Sequence, residues 1–197
     1  MTRTVHPIEA ESYRILRDRV DLSHLPPLTR AVTERVVHAS ADLDYVTDLV
    51  CDEDALAAGL AALRAGAPVV TDVWMVAAGI TRAGREIICP VAEPAAADLG
   101  RAAGITRSAA AVRIAYDRIG PGAVWVVGCA PTALVELIGL DAAPALVVGL
   151  PVGFVGAAES KAALRASGLP AVSNVGEKGG SAVAAAALNA LLYLEDK

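Results

Sequence analysis

Short apolar runs alternate with longer segments whose apolar residues recur every three or four positions. The short runs lie at residues 68–71, 86–89, 124–127, 145–148 and 171–173. The longer segments, at residues 93–103, 106–119, 131–138, 157–166 and 180–194, have helical spacing. Strands and helices that alternate in this way are typical of a parallel sheet covered on both faces. The pattern predicts a three-layer α/β/α fold with a mostly parallel, five-stranded sheet.

The first third of the chain has a different pattern, which predicts mainly helices. Residues 7–20 begin with proline and carry acidic residues early and arginines late, as the helix dipole favours. Residues 27–39 and 52–65 are expected to form two further helices, and residues 45–51 can form an additional strand. We expect this part to form a helical N-terminal cap. Because no linker is evident, residues 1–197 are expected to form a single domain.

Composition and charge narrow the class of protein. Of the residues, 55% are hydrophobic and 4% aromatic, so the core must be built from Ala, Val, Leu and Ile. The net charge of −5 argues against nucleic acid as a partner. The longest uncharged runs, residues 119–135 and 142–158, are shorter than the roughly 20 residues of a membrane span. Three cysteines far apart in the sequence and an N-terminus without an apolar leader indicate a cytoplasmic protein. Because the hydrophobic content is high, we expect part of the apolar surface to be buried in an oligomer interface.

His38 is the candidate for general acid–base chemistry. It lies near the predicted end of the helix at residues 27–39, where the helix dipole stabilises a protonated imidazole. The alternative is a histidine that only caps the helix. His6 and His24 lie near prolines in polar surroundings and are expected on the surface.

Two arginines are the candidates for binding anions. Arg82 and Arg107 each follow a Gly-Ile-Thr sequence, and a guanidinium suits bidentate binding of a carboxylate. Thr106, Arg107 and Ser108 open a predicted helix, where free backbone N–H groups also favour anions. Both arginines can equally be ordinary surface residues.

Glycines also mark three junctions between strands and helices, at residues 128–132 (GCAPT), 149–161 (GLPVGFVGAAESK) and 176–181 (GEKGGS). Ser181 begins a predicted helix, which makes it either part of a second anion site or a plain helix cap. Phe154, the only phenylalanine, is expected to face a pocket, the core or a partner. Since such junctions gather at one edge of a parallel sheet, they predict a broad pocket for a large, partly apolar ligand that carries carboxylates.

In order along the chain, the motifs resemble those of the precorrin-8X methylmutase family of cobalamin biosynthesis, over nearly the whole length. They are Ser12-Tyr13 and residues 37–39 (VHA), 65–68 (AGAP) followed by Asp72, 75–82 (MVAAGITR), 106–111 (TRSAAA), 130–134 (APTAL), 151–161 (PVGFVGAAESK), 179–181 (GGS) and 184–189 (AAAALN). The resemblance implies a flavodoxin-like homodimer that binds a corrinoid. It implies an isomerase that moves a methyl group from C-11 to C-12 of precorrin-8X, or of cobalt-precorrin-8, to give hydrogenobyrinate or cobyrinate.

The resemblance also implies roles for single residues. His38 matches the family's catalytic histidine, which would supply the proton for the methyl shift, and no metal or other cofactor is expected. The residues expected to bind the peripheral carboxylates and the ring faces are Ser12, Thr81, Arg82, Thr106, Arg107, Ser108, Met75, Val152, Gly153, Phe154, Gly179 and Ser181.

Three positions depart from the family pattern. Cys129 stands where the family has Asn, Trp74 where it usually has an acidic or small polar residue, and Glu177 where it often has Arg. Cys129 and Trp74 motivate an alternative function, a corrinoid-binding or product-carrier protein without turnover. A flavodoxin-like protein that binds FMN is a third and weaker alternative.

Overall fold

The structure is a computed structural model that describes residues 6–81 and 86–195. Six strands form one sheet within these residues, namely β1 Leu49–Cys51, β2 Val69–Thr71, β3 Ile87–Ile88, β4 Val124–Val127, β5 Leu146–Gly149 and β6 Ala171–Asn174. The α-helices in the same residues are α1 Pro7–Arg19, α2 Pro27–Ser40, α3 Tyr45–Asp48, α4 Glu53–Arg64, α5 Trp74–Gly79, α6 Pro94–Ala103, α7 Arg107–Ile119, α8 Pro131–Gly139, α9 Ala157–Ala166 and α10 Ser181–Glu195. A 3₁₀ turn at Pro90–Ala92 precedes α6.

The sheet is mostly parallel, as predicted, but the expected number of five strands is wrong. The strand order is β1-β6-β5-β4-β2-β3, and only β1 pairs antiparallel to its neighbour. Without β1, the strands follow the flavodoxin-like order 2-1-3-4-5. The sixth strand is therefore an antiparallel edge added beside β6.

The additional strand that was expected at residues 45–51 is present only in its second half. Only Leu49–Cys51 pair with β6, whereas Tyr45–Asp48 form a helical turn. Asp42 accepts the N–H of Asp44, and the hydroxyl of Thr47 donates to the carbonyl of Asp44. These side chains stabilise a turn locally, so the strand begins four residues later than the apolar pattern suggests.

Alternate residues of the central strands enter two separate cores. Val124 and Val126 lie in the core that α2, α4 and α10 complete, together with Val32, Leu56 and Leu188. Trp125 and Val127 lie in the opposite core, together with Val112, Leu134 and Leu164 of α7, α8 and α9. This alternation follows from the two-residue period of a strand and places helices on both faces of the sheet.

Of the predicted N-terminal cap, α1 and α2 form a cap, whereas α4 packs against β4, β5 and β6 and belongs to the layer that covers the sheet. Helix α2 packs against α10 and α4, and α1 packs against α2. None of the helices within the described ranges combines the length and the apolarity needed to cross a membrane. The cap thus covers the helical layer formed by α4 and α10, and His38 lies in the last turn of α2.

Candidate active site

Asp72 lies at the point of the sheet where an open α/β fold places its ligand crevice. It follows β2, and the chain leaves β2 and its neighbour β4 toward opposite sides of the sheet. The buried Asp72 carboxylate accepts the backbone N–H groups of Gly128, Cys129 and Ala130 at 3.1, 2.8 and 2.7 Å. Burial raises the pKa of Asp72, and the three N–H donors oppose that rise. Asp72 thus fixes the start of α8 against the end of β2.

Two glycine-rich loops meet beside this crevice, one after β5 and one after β6. The N–H of Gly153 donates to the carbonyl of Glu177 at 3.1 Å, and the N–H of Gly180 donates to the carbonyl of Leu150 at 2.9 Å. A Cβ at Gly179 would lie 2.3 Å from the carbonyl oxygen of Leu150. The two loops that carry the predicted residues are therefore in direct contact, with Val152, Gly153 and Phe154 on one and Gly179 and Ser181 on the other.

The buried side chain of Lys161 binds the loop that follows β6. Its side chain is fully buried and donates from Nζ to Oδ1 of Asn174 at 3.0 Å and to the carbonyl of Lys178. The amide of Asn174 donates to the same carbonyl at 2.9 Å. Burial lowers the pKa of Lys161 to about 8. A buried lysine therefore braces the loop that carries Gly179 and Ser181.

Replacing Lys161 by methionine is expected to remove a pH dependence of stability. In the unfolded chain the amine titrates near 10.5, so between about pH 8 and 10.5 the unfolded state binds more protons than the native state. Lys161 therefore contributes a rise of the free energy of unfolding with pH in that window, on the order of 2–3 kcal/mol, and the variant lacks this contribution. Urea unfolding at pH 7, 8, 9 and 10 measures the difference.

Lys178→Met is the matched control for that experiment. Asp42 and Asp44 raise the pKa of Lys178, so its stabilising contribution is constant below pH 10.5 and is lost only at higher pH. Its curve is expected to run parallel to that of the parent from pH 8 to 10. Parallel curves for the parent and Lys161→Met would contradict a buried lysine of low pKa.

The start of α7 lies beside the start of α8. Thr106 caps α7 by accepting the N–H of Ala109 at 3.2 Å, and its hydroxyl lies 2.7 Å from that of Thr132 near the start of α8. The predicted helix start at Thr106 is confirmed, Arg107 is exposed and Ser108 is half-buried. Two helix N-termini and one arginine thus converge on a surface that suits an anion.

His38 lies in the last turn of α2 and contacts α1 at two points. Ser12 Oγ lies 2.8 Å from Nδ1 of His38, and the ring of Tyr13 stacks on the imidazole with centroids 4.7 Å apart and an interplanar angle of 9°. His38 is half-buried. Lys178 binds Asp42 and Asp44 just after α2, so the end of this helix lies against the loop that follows β6.

Thr81 lies two residues after α5, against the second half of α10. Its N–H donates to Oδ1 of Asn189 at 3.0 Å, and its hydroxyl lies 2.7 Å from that of Tyr193. The amide of Asn189 also donates to the carbonyl of Gly79 at 2.8 Å. Thr81 is thus held in place, whereas the predicted residue Arg82 lies outside the described residues.

The predicted apolar residues of the pocket are largely exposed. Phe154 is 91% exposed, so of the three expected environments the core is wrong. Val155 is 88% exposed, and Met75 and Val152 are exposed as well. In contrast, Ser181 is buried, and its hydroxyl oxygen has no hydrogen-bond partner within the described part of the chain. An apolar surface and a buried hydroxyl therefore lie on the same two loops.

The structure groups most of the predicted residues into two clusters. Ser12 and His38 form the first, at the contact between α1 and α2. The second is the carboxyl edge of the sheet, with Met75, Thr106, Arg107, Ser108, Val152, Gly153, Phe154, Gly179 and Ser181. The roles of Asp72, Lys161 and Asn174 were missed, although Asp72 and Lys161 lie within the recognised motifs.

Comparison with known proteins gives consistent matches over nearly the whole chain. A family model described as precorrin-8X methylmutase matches residues 7–194. A cobalt-precorrin-8 methylmutase of Salmonella typhimurium is 43% identical, covering 94% of this chain and 93% of that protein. A precorrin-8X methylmutase of Pseudomonas aeruginosa is 44% identical, covering 93% of each. The crystal structure of precorrin-8X methyl mutase from Thermus thermophilus matches with a TM-score of 0.87 and 36% identity, over 97% of this chain and 98% of that one.

Proposed function

The chain belongs to the precorrin-8X methylmutase family, and from that premise we propose which of its residues carry out the reaction. It is an isomerase of cobalamin biosynthesis that moves a methyl group from C-11 to C-12 of the corrinoid. The isomerase function replaces the two alternatives, a carrier without turnover and a protein that binds FMN. The residue roles below are the proposal.

His38 is the general acid. The observation that carries this role is the contact of Ser12 Oγ with Nδ1 of His38 at 2.8 Å, under the stacked ring of Tyr13. In the protonated imidazole both nitrogens carry a proton, so Nδ1–H donates to Ser12 and Nε2–H is directed to the substrate. The proton makes the receiving carbon electron-poor, the methyl group migrates within the macrocycle, and the proton returns to His38. No group is exchanged with solvent or with a second substrate.

The carboxyl edge of the sheet holds the corrinoid. Arg107 and the N-termini of α7 and α8 bind peripheral carboxylates, and Ser181 offers a buried hydroxyl to another. Met75, Val152 and Phe154 are exposed apolar side chains that would cover a ring face. Thr106, Ser108, Gly153 and Gly179 shape this surface. Thr81 and Arg82 would bind a further carboxylate, as the family resemblance implies.

Substrate binding at Arg107 is tested by Arg107→Gln. Loss of the charge is expected to raise KM about 10-fold or more with a smaller change in kcat, because a charged hydrogen bond to a carboxylate is lost. Arg101→Gln is the matched control, since Arg101 lies in the preceding helix and pairs with Asp98 on the surface. An unchanged KM in Arg107→Gln would exclude this residue from the binding surface.

The reaction itself is tested with purified protein and each corrinoid in turn. Incubation with precorrin-8X and with cobalt-precorrin-8 is followed by visible absorption, since the methyl shift changes the conjugated system. We expect conversion of at least one of them to its isomer. Binding of both corrinoids without conversion would favour the carrier instead.

We also propose that the protein is a homodimer in the cytoplasm and that residues 1–197 act as one domain without a cofactor. The exposed Val155, next to the surface proposed to bind the corrinoid, is an apolar side chain that a second copy would cover. The three cysteines are free thiols, as is usual in a reducing compartment. Both cores share the one sheet, which supports a single folding unit. Sedimentation equilibrium tests the dimer.

A further inference from the structure

Arg35 lies one helical turn before His38 and connects three helices. Its Nη1 donates to Oε1 of Glu9 at 2.7 Å and to the hydroxyl of Tyr13 at 3.3 Å, both on α1. Its Nη2 donates to the hydroxyl of Tyr193 on α10 at 3.1 Å, and the guanidinium lies 4.8 Å from the centre of that ring. The side chains of Arg35 and Glu9 are each only 15% exposed. This ion pair is therefore shielded from solvent far more than an ordinary surface pair.

Helix α1 depends on such contacts because its own apolar anchor is small. Leu16 is the single buried residue of α1. Yet α1 supplies two groups that contact the imidazole of His38, the hydroxyl of Ser12 and the ring of Tyr13. A shift of α1 would thus move the hydrogen bond and the stacked ring together.

We propose that Arg35 is a positioning residue for His38. By fixing Glu9 and Tyr13, it sets α1 so that Ser12 and the Tyr13 ring hold the imidazole in one orientation. This inference rests on the proposed role of His38 as the general acid. Arg35 itself touches neither substrate nor the reacting proton and acts through Tyr13 and Ser12.

The same network reaches the loop that is expected to bind substrate. Tyr193, which accepts from Arg35, lies 2.7 Å from the hydroxyl of Thr81. Arg35 therefore connects the helix that holds the imidazole with the residue that precedes Arg82. One guanidinium can set the orientation of the acid relative to Thr81, because its planar fork fixes several partners at once.

Arg35→Met is expected to lower kcat about 10- to 100-fold with a smaller change in KM, since a misplaced acid costs rate rather than binding. Arg35→Lys retains the charge but not the fork, so its kcat is expected to lie between those of Arg35→Met and the parent. Tyr13→Phe retains the stacked ring but loses the hydrogen bond to Arg35, and its kcat is expected to fall severalfold.

Arg14→Met is the matched control, because Arg14 is beside Tyr13 on α1 but forms its ion pairs with Glu11 and Asp18 on the surface. Its kcat is expected to equal that of the parent.

A spectroscopic readout separates positioning from general destabilisation. The stacked ring of Tyr13 is expected to shift the carbon-bound proton resonances of His38 upfield in the NMR spectrum, and Tyr13→Leu is expected to give their unstacked positions. In Arg35→Met, at a temperature where circular dichroism shows a folded protein, these resonances are expected to move toward the unstacked positions. A parent-like kcat together with unmoved resonances would overturn the proposal.

The experiment still tests the role of Arg35 if one variant does not fold or if His38 is not the acid. If Arg35→Met does not fold, Arg35→Lys and Tyr13→Phe take its place, and parent-like kcat with unmoved His38 resonances in both overturns the proposal. If His38→Ala retains full turnover, the proposed acid is wrong and the positioning role in catalysis falls with it. If His38→Ala is inactive while the Arg35 variants behave as the parent, only the positioning role is wrong.

Discussion

The His38→Ala variant is expected to convert its corrinoid about 10²–10⁴-fold more slowly than the parent, the usual contribution of a positioned general acid. The loss should appear in kcat, because the proton is needed when the methyl group migrates and not when the substrate binds. His38 is half-buried at the end of α2, so the fold is expected to persist. The rate is measured from the visible spectrum of the reacting corrinoid.

Two further histidine variants show whether this loss reflects proton transfer. His38→Gln retains a polar side chain beside Ser12 but cannot supply a proton at neutral pH, so it is expected to be as slow as His38→Ala. His24→Ala removes an exposed histidine outside the site and is expected to leave kcat unchanged. Turnover of His38→Gln near the rate of the parent would mean that the ring holds the substrate without protonating it. In that case another group must supply the proton.

Much of the fold could be predicted because its elements depend on local pattern. The apolar run Val124–Val127 is a strand with the predicted bounds, and Ala157–Ala166 is a helix with the predicted bounds. Each is marked by periodicity and by flanking glycines or prolines, which are properties of neighbouring residues. The bounds and the antiparallel direction of β1 could not be predicted in this way, since its pairing with β6 depends on residues more than a hundred positions away.

In the candidate site, too, local features could be predicted from the sequence and long-range contacts could not. His38 at a helix end and Thr106 at a helix start follow from capping and dipole rules, which act over one turn. The contacts of Arg35 do not follow from such rules, because Glu9 and Tyr193 lie 26 and 158 residues away along the chain. Lys161 reads as a helix residue in the sequence, and only the packed structure shows that it is buried beneath a loop. The sequence thus indicated His38 and Ser12 as candidates but not the contacts of Arg35 and Lys161.

Gly179→Ala is expected to lower the free energy of unfolding by about 3–5 kcal/mol, the sum of backbone strain and overpacking. Gly179 has a φ of +154°, and a Cβ there would lie 2.3 Å from the carbonyl oxygen of Leu150 and 2.6 Å from that of Pro151. Backbone atoms cannot rotate away as a side chain can, so the loops after β5 and β6 must separate. Since these loops carry Phe154 and Ser181, KM for the corrinoid is expected to rise as well. Urea unfolding and substrate titration measure the two effects.

Gly180→Ala measures the effect of backbone strain without the close approach of a Cβ to a carbonyl oxygen. Gly180 also has a positive φ, +129°, but a Cβ there would meet no atom within 4 Å. Its substitution is expected to cost only the strain of an alanine in that conformation, about 1–3 kcal/mol, and to leave its N–H bonded to Leu150. Equal losses of stability in the two variants would mean that the loops are not held in close contact. A larger loss in Gly179→Ala, together with a raised KM, would support the proposal that the close approach of these two backbones shapes the surface that binds the corrinoid.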